Sequence, residues 1–257
     1  MKIAQITGAL EEFAPLDLQD DFDNSGIQVG DISQTLTGIL VCLDVTEEVL
    51  EEAIELDCNL IISHHPLLFK PLRTLTGKTY IERCVVKACK NDLVVYSAHT
   101  NLDNASGGVN FLLAEKIGLQ NIRFLKPTGN GGSGAVGELV AAEEEESFLQ
   151  RIKTIFQLEN LQHSPFTGKM IREVALCGGS GAFLIHEAIE QGADVFLTGE
   201  ARYNDYYNVE DRILLAVVGH YESEHYTKEL FFDIISKKIP NFAVHFSKVN
   251  TNPVNYM

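Results

Sequence analysis

The side chains best suited to chemistry are histidines and carboxylates that directly follow apolar segments. Three apolar segments end in this way: residues 60–63 lead to His64 and His65, residues 93–98 lead to His99 and Asp103, and residues 213–219 lead to His220 and Glu224. Imidazole nitrogen combined with carboxylate oxygen suits zinc, iron or manganese, whereas oxygen ligands alone would favour magnesium or calcium. The pattern therefore predicts a transition-metal site.

The adjacency of His64 and His65 is informative because neighbouring side chains on an extended chain point to opposite faces. A histidine pair that serves one metal is more typically spaced four residues apart on a helix. Two neighbouring imidazoles at a strand end suit two metal ions lying side by side. The alternative, a surface or hydrogen-bonded core histidine, is our interpretation of the isolated histidines, His163, His186, His225 and His245.

Composition narrows the class of protein. A chain of 257 residues with 45% hydrophobic and 22% charged residues is typical of one large or two ordinary globular domains. The net charge of −16 argues against nucleic-acid binding, since phosphate backbones would be repelled. The chain has no apolar run of roughly 18 residues, and its first residues resemble a surface helix rather than a signal peptide. We therefore expect a cytoplasmic protein that is not embedded in a membrane.

The five cysteines do not indicate a metal or disulfide site. Their number is odd, no C-x-x-C pair occurs, and most lie in apolar segments, at positions Cys42, Cys58, Cys84, Cys89 and Cys177. This usage favours buried thiols in a reducing compartment.

Helix and strand patterns alternate, which predicts a layered α/β fold. Apolar periodicity predicts helices over 2–12, 80–91 and 109–117, another helix capped by Asp44 or Thr46, and strands over 27–29, 38–43, 60–62 and 93–97. The glycine-rich segment 129–134 lacks apolar residues and is the strongest linker candidate, interpreted as a flexible or turn-rich connection. Acidic residues 143–146 precede a helical pattern, as is typical of a helix N-terminus.

Two segments resemble each other at an offset of 135 residues. Residues 52–65 and 187–200 each contain a helical pattern followed by a strand pattern, and His65 aligns with Glu200. A second alignment, at an offset of 121 residues, matches His99 with His220 and Asp103 with Glu224. This internal similarity predicts two related α/β units whose strand ends contribute to one site.

These motifs give the chain a full-length resemblance to the Nif-three-like (YbgI-like) family of dinuclear-metal proteins, often labelled GTP cyclohydrolase type-two homologues. The matching segments are 23–30 (DNSGIQVG), 63–66 (SHHP), 96–103 (YSAHTNLD), 198–200 (TGE) and 219–224 (GHYESE). The resemblance implies two similar, interlinked α/β domains and a toroidal homohexamer. We place the first domain at residues 1–126, completed by 225–257, and the second at 127–224.

The resemblance also implies the ligands of two divalent metal ions per subunit: His64, His65, Asp103, His220 and Glu224. Glu224 is the expected bridge between the ions. Five ligands cannot fill two coordination shells, and the open positions would hold water, as in catalytic metal sites. His99 and Glu200 are predicted to transfer protons or to orient a metal ligand through a hydrogen bond. Asp23 and Asn24 either line the cavity or build the turn at Gly26, and turn formation is the preferred interpretation.

Two functions follow from the resemblance. One is a metal-dependent hydrolase that uses metal-bound hydroxide on a nucleotide or heterocycle, in the manner of a GTP cyclohydrolase that opens the purine ring and releases formate. The other is a non-catalytic, hexameric metal-binding scaffold or sensor. The sequence does not choose between zinc, iron and manganese.

Overall fold

The computed structural model describes residues 1–240, 242–255 and 257. The α-helices in this part of the chain are α1 (Ile3–Phe13), α2 (Glu47–Glu55), α3 (Tyr80–Lys90), α4 (Thr100–Asp103), α5 (Val109–Ile117), α6 (Glu145–Ile155), α7 (Ile185–Glu190), α8 (Asp205–Asn208), α9 (His220–Glu224) and α10 (Thr227–Lys238). The strands are β1 (Gly26–Val29), β2 (Ile39–Cys42), β3 (Leu60–Ser63), β4 (Val94–Ser97), β5 (Gln120–Thr128), β6 (Gly131–Glu144), β7 (Gln162–His163), β8 (Met170–Cys177), β9 (Val195–Thr198), β10 (Leu214–Val217) and β11 (Val244–Phe246).

The chain forms two compact units. The first contains Met1–Leu102 and Tyr226–Met257, and the second contains Asp103–His225. The division after Leu102 differs from the boundary expected at residue 126, because α5 and β5 pack against β6 of the second unit. Each unit has its own β-sheet with helices packed against it, so the fold is mixed α/β with two sheets, as predicted.

The sheet of the first unit has the strand order β1-β4-β3-β2-β11. Strands β4, β3, β2 and β11 are parallel, and β1 joins the edge antiparallel to β4. All residues of β2, β3 and β4 are buried, which explains their continuous apolar sequences. Helix α2, capped by the Thr46 hydroxyl as predicted, packs with α3 on this sheet.

Parallel strands bring three loops to one edge of this sheet, because their carboxyl ends all point the same way. Asp44 lies two residues after β2, His64 and His65 follow β3, and His99 lies two residues after β4. The sheet therefore places these side chains at one edge.

The sheet of the second unit has the order β5-β6-β8-β9-β10-β7. Its strands β8, β9 and β10 are parallel, and the outer strands are antiparallel to their neighbours. The carboxyl ends of the three parallel strands lead to Ser180, Glu200 and His220. The matched segments of the sequence correspond to helix and strand in both units, α2 and β3 in the first and α7 and β9 in the second.

Of the two interpretations of residues 129–134, the turn-rich connection is confirmed and the flexible linker is wrong. β5 ends at Thr128 and β6 begins at Gly131, so the segment is a hairpin turn and the first part of a strand. Its glycines are required by close packing: a Cβ on Gly132 would lie 2.7 Å from the Lys126 carbonyl oxygen, and Gly134 has a φ of +64°. Glycine therefore marks a tight approach of strands here.

Two further expectations concern the whole chain. The described residues contain no helix with the length and apolar character needed to cross a bilayer. All five cysteines are free thiols, and Cys42, Cys58 and Cys84 are buried, whereas Cys89 is exposed on α3. The burial predicted for the thiols is therefore wrong for Cys89, whose helix turns that position towards solvent.

Candidate functional site

Three imidazoles form a cluster at the strand ends of the first unit. The ring centroids of His64, His65 and His99 are 5.1 to 5.5 Å apart. One ring nitrogen from each residue lies within 4.8 Å of the others, a spacing that suits the binding of a metal ion. His64 is fully buried, and the other two are partly buried.

The orientation of His64 is fixed by the backbone. Its Nδ1 lies 2.9 Å from the carbonyl oxygen of Ala98, the residue that follows β4. Because a carbonyl oxygen can only accept, this nitrogen must carry the proton. In the neutral ring the lone pair is therefore on Nε2, which is the form of imidazole that binds metals.

His65 is oriented by a carboxylate. Its Nδ1 donates to Asp44 Oδ1 at 2.7 Å, and Asp44 also accepts from the Thr251 hydroxyl at 2.6 Å. Burial alone would raise the pKa of Asp44, but the hydrogen bond and positive charge of His65, together with Thr251, lower it below its usual value. The carboxylate stays ionised, so Nε2 of a neutral His65 again carries the lone pair.

His99 is held in the same manner by Asp23. Its Nδ1 donates to Asp23 Oδ1 at 2.8 Å, and the Asp23 side chain has no exposed surface. The other donors to this carboxylate are the amides of Asn24 and Thr100 and the hydroxyls of Ser25 and Thr100. Burial opposes ionisation of Asp23, but the bonds from His99 and Thr100 outweigh it and hold the pKa far below its usual value.

The second unit has a different arrangement at its strand ends. His220 Nδ1 donates to Glu200 Oε1 at 2.9 Å, and the Ser180 hydroxyl donates to Glu200 Oε2 at 2.7 Å. The Glu200 side chain is 57% exposed. Partial desolvation raises its pKa, but the Ser180 hydrogen bond and His220 outweigh this effect and lower the pKa below its usual value.

The other nitrogen of His220 faces Glu224. Nε2 lies 2.9 Å from Glu224 Oε2, one turn further along α9, and Glu224 is buried. Since Nδ1 donates to Glu200, a neutral ring would point its lone pair at a carboxylate, and this contact requires a second proton or a cation. Two ligands about 2.1 Å from a metal and at right angles to one another are roughly 3 Å apart, so the pair fits a metal ion.

Glycines make room for Glu224. A Cβ on Gly179 would lie 2.2 Å from Glu224 Oε1, and Gly179 has a φ of +56°. A Cβ on Gly199 would lie 2.7 Å from the Gly179 carbonyl oxygen. The segment 178–181 therefore packs directly against the Glu224 carboxylate.

The structure brings predicted site residues together within each unit. His64, His65 and His99 are together in the first unit, and Glu200, His220 and Glu224 are together in the second. Asp103 is half-buried at the end of α4, where its carbonyl oxygen accepts from Asn110 Nδ2 at 3.2 Å. Its role as a ligand stays a prediction.

Sequence reasoning did not assign Asp23, Asp44 and Ser180 to the site. Asp44 carried a usable signal, because it directly follows a buried strand parallel to the strand before His64. Asp23 was interpreted as a turn residue, and the structure corrects this: it does bond the Asn24 amide, but it also holds His99, 76 positions further along the chain.

The family model for Duf34/NIF3 (NGG1p interacting factor 3) matches residues 1–253. The chain belongs to this family. A protein from Clostridium perfringens named GTP cyclohydrolase 1 type 2 homolog is 36% identical over 230 residues, 87% of each chain. The fold matches the crystal structure of Staphylococcus aureus protein SA1388 with a TM-score of 0.92 and 30% identity, covering 100% of this chain and 99% of that one. A Bacillus cereus protein related to NIF3 has the same fold, with a TM-score of 0.93 and 24% identity over 100% and 99% of the two chains.

Proposed function

We propose that this chain is a divalent-metal-dependent hydrolase that acts on a nucleotide or a related heterocycle. The observation that carries the proposal is the common orientation of its histidines. In His64, His65, His99 and His220, Nδ1 is committed to an oxygen acceptor, so Nε2 is the nitrogen through which each ring would reach a metal or a substrate. A metal supplies Lewis acidity to such a site and lowers the pKa of bound water.

The proposed ligands are the five predicted residues, for two divalent ions of zinc, iron or manganese. Support comes from each unit separately: an imidazole cluster in the first, and the close His220–Glu224 pair in the second. Asp44 and Glu200 would orient His65 and His220 by accepting their Nδ1 hydrogen bonds without binding the metal themselves. This arrangement raises the basicity of metal-binding imidazoles. That all five residues serve one dinuclear centre is part of the proposal.

His99 is the proposed proton-transfer residue. Its Nδ1 is bonded to the ionised, buried Asp23, which fixes the orientation of the ring so that Nε2 is the nitrogen that would take or return a proton. This is the role of the carboxylate in other carboxylate–histidine pairs that act as general bases.

The substrate class is suggested by the names of the relatives, which refer to GTP cyclohydrolase. Hydrolysis of the purine ring of GTP would add water and release formate. We also propose, from the family resemblance, that the chain assembles as a toroidal homohexamer, which analytical ultracentrifugation would test.

The test begins with the metal content of the purified protein, followed by turnover with GTP and other heterocycles in the presence of each metal. We expect close to two metals per chain and formate release from GTP. His65→Ala and Glu224→Ala should each abolish turnover and lower the metal content while the protein stays folded. His186→Ala changes an exposed histidine on α7 and serves as the matched control.

Stoichiometric metal without turnover across the panel would reject the hydrolase and favour a metal-binding scaffold. If His65→Ala lost one ion and kept the other, and only Glu224→Ala lost that other ion, a shared dinuclear centre would be rejected. Protein without bound metal after reconstitution with all three would reject the proposal as a whole.

A further inference from the structure

Two phenylalanines of the first unit lie close together and expose much of their side chains. Phe22 is 66% exposed and Phe69 is 42% exposed, and their ring centroids lie 6.3 Å apart with an angle of 61° between the planes. We call these two residues the aromatic pair. Keeping such surface in water is unfavourable, and exposed apolar patches commonly mark binding sites.

Hydrogen bonds between two loops fix the aromatic pair in place. Asn24 Nδ2 donates to the carbonyl oxygen of Leu68 at 2.7 Å, and the Leu68 amide donates to Gln28 Oε1 at 3.1 Å. Gln28 Nε2 in turn donates to the Asn24 carbonyl oxygen at 2.6 Å. The loop that carries Phe22 is therefore bonded to the segment that leads to Phe69, so the exposure of both rings is built into the fold.

The aromatic pair continues into the imidazole cluster. The ring of Phe69 lies edge-on to His99, with centroids 6.1 Å apart and an interplanar angle of 81°. His99 in turn lies 5.2 Å from His64 and 5.5 Å from His65. A molecule resting on the aromatic pair would therefore have an edge beside the nitrogen atoms proposed for catalysis and metal binding.

We propose that the aromatic pair is the stacking surface for a planar heteroaromatic ring of a small-molecule substrate. The inference rests on the proposed function, to which it adds the residues that hold the ring of the substrate. Aromatic side chains recognise nucleobases through their π faces, and each such stack contributes a measurable share of binding.

The size of the patch favours a small molecule. With 150–250 Å² for a whole aromatic side chain, the exposed parts of the two rings amount to roughly 200 Å². A stable protein interface takes about 800 Å² from each partner. The aromatic pair is therefore well short of a protein-docking face and comparable with one ring system.

The experiment measures binding of guanosine, GTP and ribose 5-phosphate to the full-length, metal-loaded protein by isothermal titration calorimetry. We expect guanosine and GTP to bind and ribose 5-phosphate, which lacks the ring, to bind far more weakly. Because the two ring planes are 61° apart, the base can stack on only one of them. Of Phe22→Leu and Phe69→Leu, the variant that removes the stacked ring should weaken guanosine binding by roughly 5- to 150-fold, and the other should weaken it less. Phe69→Tyr, which keeps the ring, should restore it.

A matched control is available in the same unit. Phe232 on α10 is 38% exposed and pairs with Phe246 at a centroid distance of 5.5 Å. Phe232→Leu should leave guanosine binding unchanged. The metal content of all four variants should equal that of the wild type, which separates this inference from the metal site.

The proposal is overturned if both leucine variants bind guanosine as the wild type does, or if ribose 5-phosphate binds as tightly as the nucleoside. It is also overturned if Phe22→Leu changes the oligomeric state, since a second copy would then be the occupant. If the protein fails to bind metal, the proposed function falls, and guanosine titration of the metal-free protein still decides the role of the aromatic pair. Because Phe22 is the more exposed ring, its variant is the one best placed to fold.

Discussion

The two units hold their histidines at the ends of parallel strands in contrasting ways. In the first unit the acceptors are a main-chain carbonyl and two aspartates, and Asp23 has no exposed side-chain surface. In the second unit His220 lies between two glutamates, one of which is 57% exposed. The acceptors of the first unit are the less exposed, since the Asp44 side chain is 33% exposed and that of Asp23 is not exposed, whereas Glu200 in the second unit is mostly in contact with water.

This contrast separates stability from ligand binding. Removing a buried acceptor leaves several buried donors without a partner, which costs folding free energy. Removing an exposed carboxylate costs little folding free energy, because water replaces it. Variants of the two units should therefore differ more in stability than in their effect on metal affinity.

The largest effect on stability is expected for Asp23→Ala. This change removes the acceptor of the hydrogen bonds donated by His99, Thr100, Ser25 and Asn24. We expect a loss of about 3–5 kcal/mol in the free energy of unfolding. Urea denaturation measures it, with Asp17→Ala, at an exposed position, as control. A loss below about 1 kcal/mol would show that the buried network does not stabilise the first unit.

Next in size is the effect of the outer carboxylates on metal binding. Asp44→Asn and Glu200→Gln should each weaken metal affinity by about 10- to 100-fold, because the partner histidine loses its charged acceptor. The free energy of unfolding should change by less than about 1 kcal/mol in Glu200→Gln, given its exposure. Competition with a chelator measures the affinity, and equal affinity in both variants and the wild type would contradict the assigned roles.

Gly179→Ala tests the space beneath Glu224. The new Cβ would meet Glu224 Oε1, so we expect Glu224 to be displaced and bound metal to fall, together with a loss of about 1–2 kcal/mol from the positive φ. Gly192→Ala is the matched control, because Gly192 has a φ of +77° but nothing within 4 Å of its Cβ position. The control should lose similar stability and keep its metal; equal metal content in the two would refute the steric explanation.

The smallest expected effect is a loss of folding stability that is confined to acid pH. Glu82 at the start of α3 accepts from Thr76, Lys78 and Thr74, and hydrogen bonds from Thr76 and its neighbours lower its pKa from 4.5 to about 2. Because the folded pKa is depressed, its stabilisation is complete above pH 4.5 and is lost as the pH falls towards 2.

Glu82→Gln should remove this part of the pH dependence, measured as unfolding free energy between pH 5 and roughly 2. Glu145 holds residues 167 and 168 in a similar way in the second unit. Glu145→Gln is therefore the parallel variant. A pH profile of Glu82→Gln that runs parallel to the wild type would contradict the assignment.

Much of this arrangement could be predicted from the sequence. Continuous apolar segments located β3 and β4, and the polar residues after them located His64, His65 and His99 at a strand edge. The helix predicted at 109–117 is confirmed as α5, and the family resemblance is confirmed by the family model. These features depend on local patterns of a few residues, which is why they can be read from the chain.

The acceptors that orient the histidines could not be predicted in the same way. The contact between Asp23 and His99 joins residues 76 positions apart, and no periodicity relates them. The sequence did not decide between a flexible and a turn-rich connection at 129–134, because glycine is compatible with both a flexible linker and tight strand packing. Only the tertiary structure distinguishes these alternatives, since the decisive neighbours come from other segments.

The bond between His64 and the Ala98 carbonyl has a consequence for directed evolution. A main-chain acceptor is present whatever side chain occupies position 98, so substitution there cannot delete it. A mutant library could reorient His65 or His99 by a single change in an aspartate codon. Reorienting His64 would instead require rebuilding the path of the polypeptide after β4, so the protonation pattern of this ring is inherited with the fold.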